Sequence, residues 1–204
     1  VILENINGKV YNPSVNFAED SLVVDIGAHI GGFAVLAGDY AKYGTIYAFE
    51  PFPDNFKLLK ENIEHNNLSN IIAFNAAVSS SVGTADFYID SLNTSAHSLT
   101  KKSSRVIKVP QTTLKNFLEK NGIKRCNFLK MDCEGCEYDV ILGTPIDILK
   151  NIDKIVLEYH VPEYFGLSDN NLLQDLINKL NESGFRVFIE PENYQRGYIS
   201  ASRI

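Results

Sequence analysis

The sequence predicts a doubly wound α/β fold, in which helices cover both faces of a mostly parallel β-sheet. Two observations support this prediction. From Leu22 onward, short apolar runs alternate with amphipathic stretches, which is typical of buried strands connected by helices. Near the end of the chain, the apolar runs 185–189 and 197–202 are joined by a short polar loop, and so short a connection requires an antiparallel pair. We therefore expect a seven-stranded sheet that is mostly parallel and has an antiparallel last strand.

The elements of this sheet are predicted in order along the chain. Apolar runs of strand length lie near residues 22–26, 45–50, 71–75, 127–131 and 153–159. Amphipathic segments between them predict helices over residues 34–42, 54–66 and 113–121. The clearest helix ends at Gly184 and has Ser168 and Asp169 as candidate caps. Its apolar stripe consists of Leu172, Leu173, Leu176, Ile177 and Leu180.

A single domain over residues 1–204 is expected, because 204 residues with 45% hydrophobic content suffice for one core and no linker divides them. Residues 84–110 contain two further apolar runs, 85–89 and 106–109, which predict an inserted strand pair. Both a lid and an ordinary solvated loop remain open for this insertion. Residues 1–20 are interpreted as an N-terminal extension.

Composition and charge disfavour several classes of partner. The net charge of −6 argues against a protein that binds by neutralising many phosphates, so no nucleic-acid partner is expected. No apolar run approaches the roughly 18 residues that span a bilayer, and the first residues lack the regions of a signal peptide. We expect a soluble, cytoplasmic protein with no membrane partner. The sequence starts at Val1 rather than Met, which indicates a fragment or a processed form.

The three cysteines, Cys126, Cys133 and Cys136, are too few for a disulfide framework and favour a reducing compartment. The last two have the C-x-x-C spacing found in zinc and redox sites. A zinc site requires a second pair of ligands. We therefore interpret all three as inert thiols.

The segment 25–33 predicts a strand that ends in a glycine turn before a helix. The dinucleotide fingerprint G-x-G-x-x-G requires a second glycine where His29 stands, and a pyrophosphate would be crowded there. We interpret the ligand as S-adenosylmethionine, whose ammonium group Asp25 is suited to hold. Glu50 ends the second strand beside this turn, where its carboxylate can accept hydrogen bonds from two ribose hydroxyls.

Acidic residues recur where the predicted strands end. In a doubly wound sheet, ligands bind outside the carboxyl ends of the strands, and four of the five predicted strands end in a carboxylate. Acids usually lie on solvated helix faces, so their repetition at strand ends is unusual. We therefore predict that these strand ends share one pocket along this edge of the sheet.

Four segments together resemble the FkbM-type family of S-adenosylmethionine-dependent methyltransferases. They are residues 25–33, 48–56, 129–138 and 157–160, in the expected order. The resemblance implies the class I methyltransferase (Rossmann-like) fold and methyl transfer, commonly to a hydroxyl of a sugar or secondary metabolite. Lys115 departs from the pattern, because similar proteins tend to carry an acid there.

The expected cofactor contacts come from the first three strand ends. At the methionine end they are the residues of the glycine turn: Asp25, Gly27, Ala28, His29 and Gly31. The others follow the second and third strands: Glu50, Pro51, Phe52, Asn75 and Ala77. Glu50 is expected on the ribose and Phe52 beside the adenine. Asn55 is interpreted as a brace of the second helix.

Methyl transfer to a hydroxyl requires alignment of the reactants and a base for the proton. The candidate bases follow the fourth and fifth strands: Asp132, Glu134, Glu158 and His160. His160 is the natural choice near neutral pH, because the unperturbed pKa of histidine is about 6.5, although a structural role remains open for it. No metal is predicted, and a divalent ion held by Asp132, Glu158 and His160 is the alternative. Lys130 is expected to pair with an acid or to extend toward solvent.

The acceptor is expected to be a small molecule or a glycan, and three other functions remain open. An RNA or protein methyltransferase would share the cofactor core, but an RNA enzyme would have a basic face. An amino-methylating enzyme usually has an Asn/Asp-Pro-Pro-aromatic run, whereas Asp132 is followed by Cys133, Glu134 and Gly135. A non-catalytic cofactor-binding module is disfavoured by the retained acids. A nicotinamide oxidoreductase is disfavoured by the glycine spacing.

Overall fold

The computed structural model describes residues 17–89, 97–99, 103–165 and 171–204. The strands are β1 (Leu22–Ile26), β2 (Thr45–Phe49), β3 (Ile71–Phe74), β4 (Ala77–Ser79), β5 (Gly83–Ile89), β6 (Arg105–Thr113), β7 (Cys126–Met131), β8 (Ile152–His160), β9 (Phe185–Pro191) and β10 (Arg196–Arg203). The helices are α1 (Gly32–Tyr40), α2 (Pro53–His65), α3 (Leu114–Lys120), α4 (Glu137–Gly143), α5 (Ile146–Leu149) and α6 (Leu172–Glu182). A 3₁₀ turn spans Pro162–Phe165.

Seven strands form the main sheet in the order β3-β2-β1-β7-β8-β10-β9. Strands β3, β2, β1, β7 and β8 are parallel neighbours, and β10 is antiparallel to both β8 and β9. This confirms the predicted class I methyltransferase fold. The chain order reverses between β1 and β7, so the carboxyl ends of β1, β2 and β7 border the crevice in which such sheets bind ligands.

Alternating side chains of β1 pack into different cores on the two faces of the sheet. Val24 belongs to the core that also contains side chains of α3, α4 and α6, whereas Val23 belongs to the core that contains side chains of α1 and α2. This burial on both sides explains why β1 is apolar at every position except Asp25.

The predicted inserted strand pair is present as β5 and β6, which are antiparallel. The short strand β4 adds to β6 in parallel, so the insertion is part of a separate three-stranded sheet. Side chains of this sheet pack against the chain after β2 through a small core of Phe52, Ala77, Phe87, Ile89 and Val109. Residues 90–96 and 100–102 of the insertion lie outside the described residues.

Three predicted helices differ from α1, α2 and α3 by one or two residues at their ends. Thr113 caps α3, because its hydroxyl accepts a hydrogen bond from the Asn116 N–H at 3.0 Å. The candidate caps Ser168 and Asp169 lie outside the described residues, as does most of the predicted N-terminal extension. The short helices α4 and α5 were not predicted.

No helix in the described part of the chain combines the length and the apolar composition needed to cross a membrane.

Candidate functional site

The loop after β1 adopts a backbone conformation that only glycine accommodates at its first position. Gly27 has φ 78°, and a Cβ there would lie 1.9 Å from the carbonyl oxygen of Asp132. His29 also has positive φ, at 53°, which is uncommon for a residue with a side chain. Its N–H donates to Oε2 of Glu50 at 2.8 Å, which fixes the turn against the end of β2.

The backbone amides of this turn have partners inside the protein. The N–H groups of Gly27 and Ala28 both donate to the carbonyl of Phe49, at 3.0 and 2.9 Å. The Gly31 N–H donates to the carbonyl of Ala28 at 2.8 Å. The amides of Gly27 and Ala28 therefore join the turn to β2, and the amide of Gly31 closes the turn itself.

Glu50 follows β2, and its carboxylate lies beside the glycine turn. Its Oε1 accepts from the Phe52 N–H at 2.9 Å, its Oε2 accepts from His29, and Asn55 adds a side-chain hydrogen bond. Burial raises the pKa of Glu50 to about 7, although these three hydrogen bonds act in the opposite direction. An ionised carboxylate has about four lone-pair sites, so the three accepted hydrogen bonds leave capacity for about one ribose hydroxyl.

A cavity with about 500 Å³ of empty space adjoins Glu50. Its walls come from the ends of β1, β2 and β7 and from the chain around β4 and β5. The lining residues are Ile26, Gly27, His29, Phe49, Glu50, Pro51, Asn55, Ala76, Ala77, Val78, Phe87, His97, Leu99, Asp132, Cys133, Glu134 and Cys136. This space opens to solvent. An apolar wall beside a buried carboxylate that can accept from a hydroxyl group fits a nucleoside.

The structure brings half of the predicted site residues to this cavity. Those on its wall are Gly27, His29, Glu50, Pro51, Ala77, Asp132 and Glu134. Those elsewhere are Asp25, Ala28, Gly31, Phe52, Asn75, Glu158 and His160. Five residues of the second group have side-chain partners elsewhere in the protein: Asp25, Phe52, Asn75, Glu158 and His160.

Asp25 lies behind the glycine turn in the main sheet, fully buried, with Oδ1 2.9 Å from Nζ of Lys130. Lys130 also donates to the carbonyl of Gly27 at 2.9 Å. The expected pairing of Lys130 with an acid is therefore present. The interaction fixes the end of β1 to β7 rather than reaching the cavity.

Three other predicted contacts have packing roles. The amide of Asn75 donates to the carbonyls of Glu50 and Pro51, at 2.9 and 3.0 Å. The ring of Phe52 packs edge-on against His97 with centroids 4.4 Å apart. A Cβ on Gly31 would lie 2.6 Å from Cδ1 of Leu59, so this glycine permits α2 to approach the turn.

At the other end of the cavity, four residues form what we term the acid–histidine cluster: Glu134, Glu137, Glu158 and His160. Nδ1 of His160 lies 3.2 Å from Oε1 of Glu137. Nε2 lies 3.5 Å from Oε2 of Glu134 and 3.9 Å from Oε1 of Glu158. Glu158 also forms an ion pair with Nη1 of Arg196 at 2.9 Å. The imidazole is thus enclosed by three carboxylates.

Burial raises the pKa of Glu134 to about 7 and, with the charge of Asp132, raises that of Glu158 to about 8. Burial alone would lower the pKa of His160, but the hydrogen bond and charge of Glu137 and the other carboxylates raise it above its ordinary value. Groups that exchange protons near neutral pH are suited to general acid–base chemistry.

Cys133 and Cys136 form a disulfide on the cavity wall. The interpretation of these two residues as inert thiols is wrong, and the free-thiol argument for a reducing compartment no longer applies to them. The four-residue loop between the sulfur atoms contains Glu134 with φ 54° and Gly135 with φ 102°. Cys126 is a free, buried thiol. In the described part of the chain, no group of three or more histidine, cysteine or acidic residues is arranged to hold a metal ion.

Several site residues were not predicted from the sequence. Glu137 was missed because it lies in a helix that was not predicted. Arg196 was missed because it is distant in sequence and reaches Glu158 only through the pairing of β10 with β8. Phe87, His97 and Leu99 come from the insertion. Asn55, interpreted only as a helix brace, lines the cavity. The sequence signals for the cluster were the repeated acids after Asp132 and the polar end of the fifth predicted strand, Glu158 and His160.

Comparisons with known proteins identify the family of the chain. Residues 25–187 match the methyltransferase FkbM domain, and the chain belongs to that family. It is 28% identical to Methyltransferase 1 of Beauveria bassiana, over 70% of this chain and 66% of that protein. It is also 28% identical to the hexuronic acid methyltransferase AglP of Haloferax volcanii, over 70% of this chain and 57% of that protein. The chain thus spans less than two thirds of either relative.

Solved structures share the fold. Methyltransferase FkbM of Methylobacillus flagellatus superposes with a TM-score of 0.61 at 13% identity, covering 91% of this chain and 44% of that one. SMU.1697c of Streptococcus mutans, solved in complex with SAH, superposes with a TM-score of 0.61 at 11% identity, covering 98% of this chain and 97% of that one. At these identities the likeness concerns the class I methyltransferase fold alone.

Proposed function

We propose that this chain is an S-adenosylmethionine-dependent methyltransferase that acts on a hydroxyl group of a sugar, glycan or secondary metabolite. The observation that carries this proposal is that Glu50 and Glu134 line one cavity, from the carboxyl ends of β2 and β7 on either side of β1. One carboxylate is suited to a nucleoside ribose and the other to an acceptor proton. The relative that is named as a hexuronic acid methyltransferase supports a sugar acceptor.

In this proposal, Gly27 and His29 form the wall beside the methionine end, and Ala77, Val78 and Leu99 contact the adenine. S-adenosylmethionine supplies an electrophilic methyl group on a sulfonium. The chain aligns the acceptor and removes its proton, since a neutral hydroxyl is a weak nucleophile. Asp132, Glu134, Glu158 and His160 are the proposed acid–base residues.

The cofactor assignment is tested by calorimetric titration with S-adenosylhomocysteine. We expect saturable binding that weakens at least tenfold in Glu50→Ala, because each hydrogen bond to a charged group contributes about 1.5–3 kcal/mol. Since the Glu50 pKa is near 7 and ribose hydroxyls favour its ionised form, affinity should rise from pH 6 to pH 8 in the wild type only. Glu64→Ala, at an exposed position of α2, is the control.

Two results would overturn this assignment: equal affinity in the wild type and Glu50→Ala, or saturable binding of NADH in place of S-adenosylhomocysteine. Catalysis is tested by following S-adenosylhomocysteine release with glucuronic acid, glucose and their glycosides as acceptors. Acceptor-dependent release supports the methyltransferase. Binding of S-adenosylhomocysteine without release for any acceptor would support the non-catalytic module instead.

A further inference from the structure

His160 is not on the cavity wall, whereas Glu134 is. The side chain of His160 is 4% exposed, and that of Glu134 is 17% exposed. Tyr164 stacks on the imidazole, with ring centroids 5.5 Å apart and an interplanar angle of 25°. The acceptor can therefore approach Glu134 directly but reaches His160 only through it.

The contacts of Glu137 determine which nitrogen of His160 carries a proton. Glu137 is fully buried on α4, and its Oε1 lies 3.2 Å from Nδ1 and 3.3 Å from the backbone nitrogen of His160. A buried carboxylate at this distance accepts a hydrogen bond, so Nδ1 bears the hydrogen. Nε2 of the neutral ring then directs its lone pair toward Oε2 of Glu134.

The same carboxylate also holds the loop that carries Glu134. Its Oε2 accepts from the N–H of Gly135 at 2.8 Å. Glu134 has φ 54°, and a residue with a side chain keeps this conformation only where the surroundings hold it. One buried side chain thus fixes the positions of both the imidazole and the carboxylate facing it.

Resting on the proposed methyltransferase function, we propose a proton relay in which Glu134 takes the acceptor proton and His160 receives it, with Glu137 as the positioning residue. The acceptor O–H bond breaks as the oxygen bonds to the methyl carbon, and the proton moves to Oε2 of Glu134. It then passes to Nε2 of His160. The resulting imidazolium faces Glu137 on one side and Glu134 and Glu158 on the other, and it releases the proton to solvent after turnover.

The groups facing His160 come from every neighbouring element. Glu134 lies on the loop after β7, Glu137 on α4, Glu158 on β8 itself and Tyr164 on the 3₁₀ turn. Arg196 of β10 is paired with Glu158. Among the described residues, the carboxylates around the ring outnumber this cation, so the cluster stabilises the imidazolium that forms when the neutral ring accepts the proton.

The role of Glu137 is tested on the protein without ligands, by NMR of the imidazole nitrogens across pH. The sequence has four histidines, and the His160 signal is assigned by its loss in His160→Gln. We expect the Nδ1–H tautomer and a pKa above that of free histidine. In Glu137→Gln the pKa should fall by about one unit, since each unit is about 1.4 kcal/mol of interaction with the charged form.

Glu137→Asp keeps the charge and should keep most of the elevation in the pKa of His160. Asp139→Asn removes an exposed acid of the same helix and serves as the matched control. An Nε2–H tautomer in the wild type, or equal titration in the wild type and Glu137→Gln, would overturn the positioning role. Glu137→Gln conserves the size of the side chain and Glu137→Asp conserves its charge. Thermal unfolding checks that each variant is folded.

The relay itself is tested by kcat against pH, with S-adenosylmethionine and the sugar acceptor that supports turnover. We expect Glu134→Gln to lower kcat about 100-fold, within the usual contribution of a general base, while affinity for S-adenosylhomocysteine changes less than twofold. Glu137→Gln should shift the acidic limb of the profile to lower pH. A merely structural residue would lower the active fraction without moving that limb.

Different results identify different failures. If the wild type neither binds S-adenosylhomocysteine nor transfers a methyl group, the proposed function fails. If the wild type is active and Glu134→Gln retains full kcat, the function stands and the relay is wrong.

Discussion

At the glycine-turn end of the cavity, backbone amides hold the functional carboxylate, whereas in the acid–histidine cluster side chains hold one another. Glu50 accepts from two backbone N–H groups, which neither titrate nor change with a substitution of their own side chains. Glu134, His160 and Glu137 interact through ionisable groups. We therefore expect substitutions around Glu50 to act through geometry, whereas a substitution in the cluster also changes the pKa values of the neighbouring groups.

The largest effect is expected behind the glycine turn. Lys130→Met leaves Asp25 charged and buried without its cation, and removing one partner of a buried pair costs about 3–5 kcal/mol. Urea unfolding measures the loss. The exposed Lys57–Glu61 pair provides the control, because Lys57→Met should change stability by less than about 1 kcal/mol. An equally small loss in Lys130→Met would contradict a structural role for the Asp25–Lys130 pair.

The next largest effect on stability is expected in the glycine turn itself. In Gly27→Ala the new Cβ meets the carbonyl of Asp132 at a positive φ, and strain of this kind together with overpacking costs about 3 kcal/mol. Gly122→Ala has a similar φ of 64° and nothing within 4 Å, so its loss should be about 1 kcal/mol. Chemical unfolding of both variants separates the cost of the contact with Asp132 from the cost of the positive φ. Equal losses of unfolding free energy in the two variants would show that the contact with Asp132 does not matter.

A smaller effect is expected on the pH dependence of stability in the cluster. Glu134 has a pKa of about 7 in the folded protein, whereas its ordinary pKa, expected in the unfolded chain, is 4.5. Protonation of Glu134 therefore stabilises the folded state at low pH. This contribution is lost as pH rises, by about 2 kcal/mol between pH 5 and pH 7.

Glu134→Gln should therefore reduce the decline in unfolding free energy over that range, while Glu50 and Glu158 still contribute to it. Glu119→Gln, at an exposed position of α3, should leave the decline unchanged. A profile for Glu134→Gln identical to the wild type would mean that Glu134 titrates normally.

The smallest effect concerns Asn75, whose amide bonds two carbonyls beside Glu50. Asn75→Ala should lower the free energy of unfolding by about 1–2 kcal/mol, the usual net value of such hydrogen bonds. Affinity for S-adenosylhomocysteine, measured by calorimetry, should change less than threefold. A loss of affinity as large as that of Glu50→Ala would instead place Asn75 in contact with the nucleoside.

The strands and the glycine turn could be predicted because their signals are local. The apolar runs that became β1, β2 and β7 are buried on both faces, and the spacing from Gly27 to Glu50 follows from a strand–turn–helix–strand unit. The acids after β7 and β8 were found by the same rule. Their separation into wall residues and buried residues was not predicted, because it depends on where α4 and β10 pack.

The amino-acid sequence by itself determined the doubly wound sheet, its antiparallel last strand and the acidic edge, since period, turn length and strand-end composition are properties of short segments. Only the tertiary structure decided the partners of each side chain at that edge. Asp25 pairs with Lys130, Glu137 with His160 and Glu158 with Arg196. The physical reason is that such pairs join residues far apart in the chain, and the packing of the elements that carry them sets each distance.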